Sequence, residues 1–329
     1  MKHTMRCIVI EKDGNVQLTK RPSPSSVPSS SSLLRVLLAG ICSTDLAVLD
    51  NRIPGPRPLV MGHEFVAEAV DDATRRLCVS EINLSCGTCI YCNKGIPKHC
   101  QNRTALGISA DGVFADYVLV PSENIHFLPA TITPEQGVFV EPLAAAIQSL
   151  QTGNLSPEMS VGVLGTGRLG LLQIQVLKAV GFRYIVAISR SPAKLALAKR
   201  FGATTTLAAE KLRNADLLLL DAVIETSGSP HGLQMALELV RSQGTIVLKS
   251  TPGIQAHVNL DDIVRREIRL LGSRCGPFSE AIKLLASGQI QTEPLISGIF
   301  ALEDFQKAFE LARQPLTIKV LFDIAGRPQ

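Results

Sequence analysis

Read as hydrophobic and polar positions, the chain changes texture near Pro142. Before it, short apolar, β-prone runs at 7–11, 33–38 and 113–120 are separated by breaks rich in Pro, Gly, Ser and Asn, which predicts strands joined by turns. Residues 21–32 (RPSPSSVPSSSS) are low in complexity, bury little surface, and are expected as an exposed loop between two strands. After Pro142 the apolar runs alternate with amphipathic segments at helical spacing. Strands are predicted at 161–164, 184–188, 222–225, 245–248 and 268–271, and helices over 169–180, 193–201 and 232–241. That alternation builds a doubly wound α/β domain around a parallel sheet. The remainder carries helices near 279–287 and 303–312 and a closing strand at 318–322, and no internal repeat is apparent.

Composition narrows the class. With 329 residues, 46% hydrophobic and 19% charged, the chain has the apolar surface for two packed cores and is not a disordered polypeptide. Its 33 basic and 29 acidic residues give +4 with no long run of one sign, so no nucleic-acid or anionic-membrane footprint is present. Aromatic residues are 4% and Trp is absent, which speaks against a stacking platform for bases or sugars. Residues 1–13 lack a signal-type apolar core, and no stretch reaches the roughly 18 apolar residues of a membrane span. The protein is expected in the cytoplasm, where clustered cysteines bind metal more often than they pair.

Four of the eight cysteines, Cys86, Cys89, Cys92 and Cys100, fall within fifteen residues. Four thiolates in a short loop close a tetrahedral zinc site with no position left for water, which is a structural site; an iron–sulfur cluster and disulfides are the alternatives. A second set is dispersed: Cys42 in GICSTD, His63 and Glu64 in GHE, and Glu141 in VEPL. All are competent zinc donors, and three donors with one open position make a catalytic site. Spacing alone does not bring them together: singly, Cys42 reads as a small buried hydrophobe, His63 as a hydrogen-bonded core residue and Glu141 as a helix-start acid.

Gly165-Thr166-Gly167-Arg168-Leu169-Gly170 follows a predicted strand and opens a predicted helix. In that setting the first glycine makes the turn, the second admits a pyrophosphate, and the third lets helix and strand pack, with the helix N-terminus facing the phosphates. The end of the next strand discriminates the dinucleotides, because an acid there bonds the ribose and repels a 2′-phosphate. Ser189 and Arg190 stand there instead, a hydroxyl and a guanidinium suited to a phosphate, so NADP(H) is expected over NAD(H).

GICSTDL, GHE, the four-Cys lobe, FVEPLA and GTGRLG occur in the order and approximate spacing of zinc-dependent medium-chain dehydrogenases/reductases, which the chain resembles over nearly its whole length. The resemblance implies a mostly-β, GroES-like catalytic domain from residues 1–141, with a structural zinc lobe at 86–100, and from the tail 275–329. A Rossmann domain, 142–274, is inserted into it. It implies two zinc ions per chain. Cys42 and His63 would ligate the catalytic ion, with Glu64 and Glu141 as ligands or near-ligands, Glu141 as in the sorbitol and threonine dehydrogenase branch. Asp45 would orient the His63 ring, and Thr44 would bond the reacting hydroxyl. Three departures accompany these matches. Ala47 stands where many relatives carry a relay histidine; Ala67 and the short segment 71–79 depart from the usual loop pattern; and Ser43 replaces an arginine that contacts pyrophosphate in some relatives, a charge for which Lys319 is the candidate, with an ordinary surface position as the equal alternative.

The implied activity is hydride transfer between NADP(H) and a small alcohol, polyol or sugar-type substrate, in a homodimer or homotetramer. A short-chain aldehyde or ketone reductase of the same family and a non-catalytic nucleotide sensor are the rival readings. A zinc-ribbon nucleic-acid binder lacks the necessary basic run.

Overall fold

The computed structural model describes residues 4–214, 219–251, 255 and 258–326. The chain forms two compact units, Met1–Glu141 with Thr292–Gln329, and Pro142–Gln291.

The first unit is built around the strand Ser31–Gly40, which pairs antiparallel with Glu64–Ala69, Tyr117–Pro121 and Lys319–Asp323. With Leu77–Ser80, Ile125–Phe127 and Ile296–Ala301 these make a seven-stranded sheet, beside a three-stranded sheet of Val16–Pro22, Thr4–Ile10 and Leu59–Val60. The tail strand enters through apolar residues: Val320, Leu321 and Phe322 are fully buried. Phe322 meets Phe114 and Phe309 edge-on at ring-centroid distances of 5.0 and 5.9 Å. Such pairs add about 0.5–1.5 kcal/mol each beyond the area they bury.

In the second unit six strands run parallel in the order Thr205–Ala208, Tyr184–Ser189, Ser160–Leu164, Leu220–Glu225, Val240–Leu248, Arg269–Gly272. The central strands are apolar on both faces, as a sheet with helices on each side requires; Val161, Val163, Val223 and Ile224 are fully buried. The order is that of a doubly wound dinucleotide-binding sheet, reversing between the strands that begin at Ser160 and Leu220.

Four sequence expectations need correction. The loop at 21–32 is shorter, because Arg21 and Pro22 pair with Met5 and Thr4 while Ser31 and Ser32 pair with Pro121 and Val120. The run 113–120 is not one strand. Phe114 O accepts from Ile8 N (2.8 Å) in the smaller sheet, and only Tyr117–Pro121 joins the larger. The helix at 232–241 ends at Leu239, where Val240 takes up strand pairing with Leu220. The return to the first unit lies at Thr292 rather than 275. Side chains hold the intervening segment in the second unit: Gln151 Nε2 donates to Glu280 (3.1 Å), and Gln175 Nε2 donates to Gln291 O (3.1 Å). No helix among the described residues is long and apolar enough to cross a membrane.

Candidate metal and dinucleotide sites

Register assembles the dispersed donors. Gly40, at the end of one strand, pairs with Glu64 at the start of another, which sets Cys42 beside His63 and Glu64. The donor atoms of Cys42, His63 and Glu64 all lie within 4.8 Å of one another. Gly62, before the histidine, has φ +91°, and a Cβ there would lie 2.3 Å from the Phe114 ring, so the turn that presents His63 requires glycine.

Asp45, with no exposed surface, ties the ligands together from the helix Ser43–Leu49. Its Oδ2 accepts from the Cys42 backbone N–H (2.7 Å), and its Oδ1 lies 3.0 Å from His63 Nδ1. With Nδ1 so engaged, Nε2 is the ring nitrogen left for a metal. Burial opposes charge on the ring, yet the Asp45 carboxylate and the Cys42 sulfur outweigh it and hold His63 well above the usual histidine range. Thr44 sits one residue before Asp45 in the same helix and is half-buried, whereas Ala47 is buried and offers no proton relay.

Two of the expected residues are not members of the three-donor cluster. Glu141 lies in the first turn of the helix Val140–Gly153, outside the three-donor cluster. Lys319, the candidate to supply charge to a pyrophosphate, is 1% exposed, and its Nζ is ion-paired with Glu64 Oε2. The same Nζ lies 3.5 Å from Ile41 O and 5.9 Å from the Phe139 ring centre. A cation so enclosed is committed to the carboxylate beside His63, which corrects the pyrophosphate assignment. Gly40 leaves the room: a Cβ there would stand 3.1 Å from Glu64 Oε2 and 3.3 Å from Lys319 Nζ. Nothing in the sequence flagged the pair beyond one lysine opening an apolar strand.

The lobe cysteines form the second cluster, with all four sulfurs within 4.8 Å. Cys86 and Cys100 sulfurs are 3.5 Å apart, as are those of Cys89 and Cys92. A disulfide would need about 2.05 Å. Four sulfurs about 2.3 Å from a tetrahedral zinc stand roughly 3.8 Å apart, close to what is seen. Hydrogen bonds from the Thr88 backbone and hydroxyl bring the Cys86 thiol down to about 5, favouring the thiolate a metal needs.

In the second unit the glycine-rich turn has the geometry of a phosphate cradle. Gly165 has φ +98° and packs on Ser227, and a Cβ on Gly170 would strike Gly165 O at 1.8 Å. A Cβ on Gly167 would meet only open space, and Gly167 caps the helix Arg168–Val180, on which Leu169 follows. Thr166 Oγ1 is buried without a hydrogen-bond partner. The cradle therefore fits a dinucleotide pyrophosphate. Ser189 ends the next strand and its hydroxyl accepts from Ser191 N (3.3 Å), while Arg190 is exposed. Two neighbours escaped the sequence reading. Thr226 Oγ1 donates to Leu164 O (3.0 Å) and Gly165 O (2.8 Å), bracing the glycine turn. Lys194, backed by the capping Ser191, is lowered by burial and by the charge of Arg168. That Lys is three residues beyond a Ser N-cap, a spacing that was open to reading.

Residues 29–130 match the alcohol dehydrogenase GroES-like domain, and residues 169–287 the zinc-binding dehydrogenase domain. The L-threonine 3-dehydrogenase of Bacillus licheniformis is 32% identical over 88% of this chain and 90% of its own. The chain belongs to the zinc-dependent medium-chain dehydrogenase/reductase family. The galactitol 1-phosphate 5-dehydrogenase of Escherichia coli, 28% identical, aligns with 96% of this dehydrogenase and 99% of itself. Among solved structures, a chain from Sinorhizobium meliloti described as a zinc-binding dehydrogenase bound to NADP superposes with a TM-score of 0.90. It is 30% identical, covering 98% of this chain and 100% of that one. An Escherichia coli alcohol dehydrogenase complexed with NADH gives 0.89 at 26% identity, covering 98% and 99%. The GroES-like and Rossmann units of this dehydrogenase are those of its relatives. Cys42, His63 and Glu64 supply the mixed sulfur, nitrogen and oxygen donors zinc takes in catalytic sites, and the lobe supplies four sulfurs.

Proposed function

We propose that this dehydrogenase moves hydride between NADP(H) and the hydroxyl-bearing carbon of a small alcohol, polyol or sugar-type compound. The reading is carried by the convergence of Cys42, His63 and Glu64, with Asp45 anchoring two of them at once. These three residues would hold the catalytic zinc, and Cys86, Cys89, Cys92 and Cys100 a second, structural ion. When bound, the catalytic ion favours the deprotonated form of an alcohol or polarises the carbonyl in the reverse direction. The chain's own residues do the rest. Asp45 fixes the His63 ring and the helix turn that carries Thr44. The Thr44 hydroxyl receives and passes on the substrate proton, and with Ala47 buried the proton continues to water. Gly165, Gly167 and Gly170 seat the dinucleotide backbone, with Arg168 and Leu169 in the first helical turn beside it.

Ser189 and Arg190, with Lys194 and Arg168 adding positive charge nearby, support NADP(H) over NAD(H). An NADP-bound relative at 30% identity agrees with that preference, and an NADH-bound one at 26% makes direct measurement decisive. A homodimer or homotetramer in the cytoplasm fits the same reading. The experiment is a coupled screen of alcohols, polyols, polyol phosphates and carbonyl compounds with both cofactors. Turnover of a hydroxylated substrate at higher kcat/KM with NADPH or NADP+ is expected. Equal values with NADH or NAD+ would overturn the cofactor assignment, and turnover of aldehydes or ketones alone would favour a reductase.

A further inference from the structure

The sheet order assigns the two halves of a dinucleotide to different strand ends. The glycine-rich turn follows Ser160–Leu164, and the strands on its Tyr184–Ser189 side take the adenosine half. The other half falls at the carboxyl ends of Leu220–Glu225, Val240–Leu248 and Arg269–Gly272. There the chain places a lysine. Lys249 is the first residue past Val240–Leu248, pinned by its backbone N–H on Glu225 O (3.0 Å). It is half-buried, and its Nζ donates across to Ser273 Oγ (3.4 Å), just past the neighbouring strand. Ser273 Oγ also accepts from Thr152 Oγ1 (3.3 Å), which accepts from Gln148 Nε2 (3.2 Å), so the ammonium ends on a braced hydroxyl. The nearby Glu225 carboxylate is 3% exposed and committed to Ser227, through N–H (2.8 Å) and hydroxyl (2.5 Å), and to the Ser250 hydroxyl.

The position decides what this charge faces. Between the fifth and sixth strands it stands two to three strand spacings from the glycine-rich turn, about 10–14 Å at ~4.8 Å per strand. The pyrophosphate held at that turn is beyond the ammonium's reach, and the nicotinamide end is not.

Resting on the dinucleotide reading above, we propose that Lys249 is a nicotinamide-facing cation that makes the second unit hold the reduced cofactor more tightly than the oxidised one. The oxidised ring carries a positive charge; accepting hydride, with the electron pair of the broken C–H bond, makes it neutral. A fixed ammonium repels only the oxidised form. A hydrogen bond from Lys249 to the carboxamide would be available to both forms, so it cancels from their ratio.

The test is equilibrium binding, independent of turnover. NADPH is titrated by its fluorescence and NADP+ by displacement, for the wild type and for Lys249→Met, Lys249→Gln and Lys249→Arg. The ratio Kd(NADP+)/Kd(NADPH) should fall about tenfold in the Met and Gln variants, the effect of one partly screened charge a few ångströms away, and persist in the Arg variant. A ratio within twofold of wild type in either neutral variant, or equal weakening of both forms, overturns the proposal; equal weakening marks a phosphate contact instead. Failure of the wild type to bind any nicotinamide cofactor refutes the dinucleotide reading itself, a separate outcome.

Discussion

Lys319→Met removes one member of a pair whose side chains are each 2% exposed. The remaining Glu64 carboxylate would keep only the Cys42 and His63 donor atoms within 4.8 Å, beside Gly40, which has no side chain, and the apolar Val138. Breaking a buried pair by removing one partner costs about 3–5 kcal/mol, against about 0.2–1 kcal/mol for an exposed pair. The double variant Glu64→Gln/Lys319→Met replaces both members by neutral groups of similar volume and should recover most of the loss. Urea unfolding of the protein with the catalytic zinc removed, so that no metal neutralises Glu64, measures the cost. Amide exchange at Ile41, whose N–H donates to Val320 O (2.9 Å), reports the first unit separately. Lys319→Met should also leave the KM for NADPH within twofold of wild type, since the ammonium serves Glu64. A loss below about 1 kcal/mol, or a double variant no better than the single one, would refute the reasoning. A tenfold rise in that KM would reinstate a pyrophosphate contact.

Other expectations address the remaining parts. Metal analysis should give about two zinc ions per chain, and Cys42→Ser should lose one of them together with turnover while circular dichroism stays native. Cys92→Ser should lose the other and lower the melting temperature, because the lobe's two-residue strands Asn83–Leu84 and Thr104–Ala105 supply little pairing of their own. Asp45→Asn should weaken catalytic zinc about 10–100-fold in competition with a chelator, as removal of an orienting carboxylate does. Ser189→Asp should move the kcat/KM ratio toward NADH by about tenfold or more by repelling the 2′-phosphate.

What the sequence disclosed depended on whether a contact is local. The glycine-rich turn and the cysteine lobe are short-range arrangements, and their members stand in the structure as their spacing implies. The Cys42 to Glu64 cluster was visible only through resemblance, since the register of Gly40 on Glu64 that creates it is a pairing between distant strands. Strand ends were misjudged where pairing overrides composition, as when Ser31 and Ser32, polar and loop-like, pair with Pro121 and Val120. Glu141 matched its motif and yet lies outside the donor cluster, in the first turn of the helix Val140–Gly153. Lys319 was noticed for its charge, but its partner could not be guessed from a position 255 residues away.

That last strand also bears on synthesis. Lys319–Asp323 pairs with Ser31–Gly40, and the Lys319 to Ile41 contact spans 278 positions. The second unit, continuous from Pro142 to Gln291, has all its strands before the tail leaves the ribosome. The first unit must wait, with the Ser31–Gly40 edge open and Glu64 without its counter-charge, until Lys319–Asp323 emerges. A product ending before Lys319 would therefore retain the dinucleotide fold and all the metal-donor residues, while leaving the Glu64 carboxylate without the ammonium that pairs with it.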